Sequence, residues 1–125
     1  MSSNTSDAIV VLMTAANQEE ASRIAEMLVG ARLAACVQIL PEIKSVYRWK
    51  GELQHEKEVL LLTKTTLAVF NELERQVRAM HSYETPEIVA LPISAASAAY
   101  LKWLLSEVRL TDTEAGARPP SQPAN

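Results

Sequence analysis

Residues 33–64 read LAACVQILPEIKSVYRWKGELQHEKEVLLLTK, and the way this stretch folds decides the rest of the chain. Leu33 to Leu40 carries the small and branched apolar residues of a strand, and Pro41 interrupts it. The chain resumes at Ile43. From Val46 to Lys50, aromatic residues alternate with Val, Arg and Lys, as in a strand with unlike faces. Gly51 supplies the turn. Glu52 to Lys64 then returns as a long strand, charged at first and apolar at Val59-Leu60-Leu61-Leu62. Together these segments predict an extended hairpin. Its tip, with Trp49, Lys50, Gly51 and Glu52, projects beyond a compact subunit.

Before the hairpin, Ala8-Ile9-Val10-Val11-Leu12-Met13 is short, continuous and apolar, which reads as a buried central strand. Asn17 offers a helix cap, with Glu20 three residues on as a capping box. Ala21, Ile24, Ala25 and Leu28 give that helix one apolar face, and Gly30 marks its end. After the hairpin, the spacing of Phe70, Leu73, Val77 and Met80 predicts a second helix over Leu67 to Met80. The polar segment His81-Ser82-Tyr83-Glu84-Thr85-Pro86 leads into a fourth strand, Glu87 to Ile93. Ser97 caps a last helix with a stripe of Leu101, Leu104, Leu105 and Val108.

The predicted order is β-α-β-β-α-β-α. Its first six elements match the ferredoxin-like, split βαβ arrangement: an α+β fold with a four-stranded antiparallel sheet and an extra C-terminal helix. Right-handed crossovers put both main helices on one sheet face. The other face needs cover, and with the aromatic hairpin this argues for self-association.

Composition narrows the function. The chain has 125 residues, 12 basic and 15 acidic, a net charge of −3, 48% apolar residues and 22% charged ones. That is globular composition in an amount suited to one domain, expected over residues 8–110. Residues 1–7 read as a polar lead and 111–125 as a proline-rich tail without a core. No basic stripe suggests nucleic acid as a partner. No apolar run is long enough to suggest a membrane helix, and no targeting signal is evident, so a cytoplasmic protein is expected. Cys36 is the single cysteine, which excludes an internal disulfide. Glycines stand only at Gly30, Gly51 and Gly116, so there is no glycine-rich phosphate loop. No nucleophile motif appears either, and no enzyme is expected.

Five blocks in order carry a resemblance. They are Val10-Val11-Leu12-Met13-Thr14-Ala15, Leu33-Ala34-Ala35-Cys36-Val37, Tyr47-Arg48-Trp49-Lys50-Gly51, Glu58 to Thr65, and His81-Ser82-Tyr83-Glu84-Thr85-Pro86-Glu87-Ile88. Over residues 8–108 the chain resembles the CutA divalent-cation tolerance family. The resemblance implies a PII-like homotrimer, a role in tolerance of copper and other divalent cations, and no established reaction. It also implies copper or another divalent cation as a bound metal, with the family's donor positions falling at Met13, Met80 and His81. Only His81 keeps a nitrogen donor there. The two thioethers suit Cu(I) better than Cu(II) or Zn(II).

Cys36 is a fourth candidate donor, and each candidate has a plainer reading. Met80 continues the stripe of Phe70, Leu73 and Val77, Met13 ends a buried strand, and Cys36 sits among small apolar residues, so all three also fit as core. His81 stands at a helix C-terminus, where the dipole favours its charged form. Lys64 suits an ion pair with Glu84 or Glu87, or an anion. Tyr47 and Trp49 suit a ligand cleft or an interface between subunits. Trp103 reads as packing, and His55 as solvated. The leading expectation is a non-enzymatic trimer holding a metal or small ligand in inter-subunit clefts near His81, Tyr83, Glu84 and Lys64, with Glu87 a further cleft or interface candidate. The alternative is a PII-like small-molecule sensor or interaction protein without direct metal binding.

Overall fold

The structure, a computed structural model, describes residues 7–111. The polar lead and the proline-rich tail expected at the two ends lie outside the described residues, apart from Asp7 and Thr111. The elements are β1 (Ala8–Ala15), α1 (Gln18–Gly30), β2 (Cys36–Trp49), β3 (Glu52–Thr66), α2 (Phe70–Met80), β4 (Ile88–Pro92) and α3 (Ala98–Glu107). A single 3₁₀ turn, Leu67–Val69, leads into α2, so the second helix is α-helical only from Phe70. The sheet order is β2-β3-β1-β4, and every neighbouring pair is antiparallel. This is the ferredoxin-like order, with α3 added.

The alternation of the strands separates two faces. Ile9, Val11, Met13 and Ala15 of β1 pair with Thr65, Thr63, Leu61 and Val59 of β3 and form one buried row. That row belongs to the same core as Ala21, Ile24 and Leu28 of α1 and Leu73 and Val77 of α2. Removing one of these side chains, as in Leu61→Ala, would cost about 2–5 kcal/mol. The other face carries Leu12, Leu60 and Leu62, half-buried, and Leu40, Val89 and Leu91, exposed. No element of the described chain covers those exposed leucines and valine.

Two local expectations change. Pro41 does not end a strand: β2 runs unbroken from Cys36 to Trp49 and absorbs the proline in a bulge between Leu40 and Ile43. An edge strand tolerates this because one row of its backbone groups has no ladder partner. The segment Leu33–Ala35 precedes the strand, with the Leu33 carbonyl accepting from the buried Thr65 hydroxyl at 2.6 Å. Helix α1 ends at Gly30, as expected, although Gly30 does not itself provide a left-handed step after it. Arg32 does, at φ 60°, and its guanidinium and carbonyl engage Ser106 and Arg109, which docks the C-terminal end of α3.

Candidate functional site

The site is built around a buried carboxylate. Asn17 caps α1 by accepting from the Glu20 amide at 2.8 Å. The Glu20 side chain does not fold back to Asn17, as a simple capping box would. It accepts instead from the Ala16 amide (3.0 Å) and reaches across to the Ser82 amide (2.7 Å) and hydroxyl (3.1 Å). Burial alone would raise its pKa. The donors from Ala16 and Ser82 outweigh burial and hold the carboxyl below its ordinary value. The start of α1 is thereby tied to the connection after α2.

His81 follows α2 and turns inward, its side chain almost wholly buried. Nδ1 accepts from the Tyr83 amide at 3.0 Å, so the ring proton sits on Nε2 and donates to the Thr14 carbonyl at 2.7 Å. The Tyr83 ring lies 4.8 Å from the imidazole, and its hydroxyl donates to Glu58 Oε2 at 2.7 Å. Burial, then the bond and charge of Glu58, push the Tyr83 phenol far above its ordinary pKa.

This strapping fixes one wall of a cleft of about 310 Å³. Thr14 and Glu58 form its floor on the open face of the sheet. Tyr83, Glu84, Thr85 and Glu87 close one side, and Tyr47 and Trp49 of the hairpin close the other. Tyr47, Trp49, Tyr83, Glu84 and Glu87, expected from the sequence at a ligand cleft or an interface, all line this one. Partial removal from water and the charge of Glu58 raise the Glu87 carboxyl. The same two causes, with Glu56 before Glu58, raise the Tyr47 phenol.

Lys64 does not belong here. It lies six residues beyond Glu58, about 20 Å along β3. There it donates to Gln38 at 2.7 Å and stands 5.7 Å from the centre of the Tyr100 ring. It makes no ion pair with Glu84 or Glu87. Cys36 is its strand partner at that same remote end, 3.6 Å from the Tyr100 hydroxyl, which raises the phenol to about 12. Trp103 is not core packing: it is 41% exposed, with its ring against Tyr100. His55 is exposed, as expected.

The donor set His81, Met80, Met13 and Cys36 does not fit a metal. Both ring nitrogens of His81 are spent inside the protein, so no lone pair is left for a cation. Met13 is buried toward the helices, whereas Cys36 belongs to the opposite sheet face and the far end. Met80 is half-buried against the core. Among the described residues, no three His, Cys, Asp or Glu side chains cluster closely enough to hold a metal ion. No helix among them is long and apolar enough to cross a membrane.

Sequence reasoning did not select Glu58 and Glu20. The signal for Glu58 was its place in the alternation, an acid on the same face as Leu60 and Leu62. Glu20 was legible as a cap, but its reach to Ser82 was not.

Comparison with known proteins agrees with this architecture. The family described as "CutA1 divalent ion tolerance protein" matches residues 9–107. The divalent-cation tolerance protein CutA of Thermus thermophilus is 52% identical over 95 residues, 76% of this chain and 92% of that protein. The chloroplastic protein CutA of Arabidopsis thaliana is 44% identical over 108 residues, 86% of this chain but only 59% of the plant protein. Among solved structures, the Thermus thermophilus Cut A1 protein superposes with a TM-score of 0.80 at 48% identity, covering 82% of this chain and 99% of that one. CutA1 from Oryza sativa gives 0.82 at 41% identity, covering 87% and 100%. A single family thus accounts for the sequence from β1 through α3 and for the fold together: the chain belongs to the CutA1 divalent ion tolerance family.

Proposed function

We propose that the protein is a non-enzymatic, cytoplasmic homotrimer that supports divalent-cation tolerance by holding a small ligand in the cleft between Tyr47, Trp49, Glu58 and Tyr83. One observation carries this reading: the cleft opens on the same sheet face that exposes Leu40, Val89 and Leu91. Association through that face would place a neighbouring copy beside the cleft. Sedimentation at micromolar concentration tests the assembly. A trimer is expected, and a folded 13.7 kDa monomer overturns the reading.

The connection to cations is indirect in this proposal. His81 positions Tyr83 and Thr14 and does not chelate copper. Calorimetry with Cu(I), Cu(II) and Zn(II) on the wild type and His81→Ala tests that part. Binding that is unchanged or absent in both is expected. Micromolar binding lost on removing the imidazole, in a variant that keeps its circular dichroism, overturns it.

A further inference from the structure

We infer that the cleft takes an organic ammonium ion, its charge held by Glu58 and Glu87 and its apolar body laid against Tyr47 and Trp49. This rests on the reading of the cleft as a ligand site and names the chemistry of the ligand. The first support is sign. Glu58, Glu84 and Glu87 line the cavity, and no basic residue of the same subunit does. An anion would meet only repulsion there.

The second support is the state of Glu58. It is 6% exposed, yet among the described residues its one hydrogen bond is the Tyr83 hydroxyl on Oε2. Its other carboxylate oxygen has no hydrogen-bond partner among the described residues and faces the cleft it lines, where a donor or cation can join it. Burial first, and then the field of this charge, raise the Glu87 carboxyl, and a bound cation would relieve the repulsion between the two.

The third support is the hairpin wall. Two aromatic rings attract an organic cation through their faces and shed water from its body. The ring faces themselves supply no donor atoms to a metal ion, and no three His, Cys, Asp or Glu side chains among the described residues cluster closely enough to hold one. The cavity of about 310 Å³ stands at the small end of small-molecule sites, which span roughly 300–1,000 Å³.

Calorimetric titration of the assembled full chain with benzylamine, benzyl alcohol and Zn(II) tests the inference. Glu58→Gln keeps an acceptor for Tyr83, and Glu87→Gln alters a more exposed carboxylate. Circular dichroism and sedimentation check both variants. Benzylamine should bind at least about tenfold tighter than its neutral isostere. Each variant should narrow that preference. Benzylamine binding should weaken as falling pH protonates Glu87. Equal affinity for amine and alcohol overturns the inference, as does a preference that survives both substitutions. If benzyl alcohol or Zn(II) binds and alters Trp49-dependent fluorescence while benzylamine does not, the cleft stands and the ammonium assignment falls. If none of the three probes binds, both fall.

Discussion

Glu20 shows how one side chain converts a helix start into the scaffold of a site. Its carboxylate satisfies two backbone donors and a hydroxyl away from water. Glu20→Ala should therefore cost about 2–3 kcal/mol in urea unfolding, because the Ala16 and Ser82 amides lose their acceptor. The folded pKa lies below the ordinary 4.5. Its stabilisation is thus fully present above pH 4.5 and disappears as pH falls through the lowered folded value. The wild type should lose stability between neutral pH and pH 3 more steeply than Glu20→Gln, compared by urea midpoints. Tyr83→Phe removes the hydroxyl on buried Glu58 and should cost about 1–2 kcal/mol by the same measurement. The phenols behave in the opposite sense. Tyr47, Tyr83 and Tyr100 all have raised folded pKa values. Their contribution holds below the ordinary value of 10 and is lost as pH rises through the folded values. Ultraviolet titration should show less phenolate at pH 10 in the folded protein than in urea.

At the scale of the element, the hairpin is the informative unit. Its two-residue turn puts Lys50 at φ 51° and Gly51 at φ 82°, so both residues are left-handed, as the right-handed twist of paired strands requires. Glycine carries this without strain, and lysine does not. Gly51→Ala should destabilise by about 1 kcal/mol, and Lys50→Asn should stabilise by a few tenths, both read from thermal midpoints. The glycine turn was legible because no other residue so strongly marks a reversal between two apolar runs. The continuity of β2 through Pro41 was not. Whether a proline ends a strand depends on whether its missing N–H had a partner, and that follows from β2 standing at the sheet edge. Lys64 fails as an ion-pair partner for a related reason. Its face was readable from alternation, but its distance from Glu84 depends on where β4 begins.

For the molecule as a whole, the unburied sheet face is the dominant feature. Val89 and Leu91 stand 48% and 47% exposed beside half-buried Leu12 and Val10. Burying such side chains would contribute about 1.5–3 kcal/mol each to an association through this face. Leu91→Lys should weaken the assembly by more than about 2 kcal/mol per copy, read as dissociation on dilution in sedimentation. The fold lies close to the sequence. Apolar period, cap residues and turn glycines act locally, and they determined the element order, the ferredoxin-like topology and which strand faces are apolar. The site does not lie so close. Five cleft residues were recognisable by type, but the spent imidazole of His81, the buried Glu58 and the separation of Cys36 from Met13 were decided only by tertiary structure. Hydrogen-bond satisfaction and burial are properties of neighbours brought together in space, and residues 14, 58 and 83 become neighbours only once the sheet has closed.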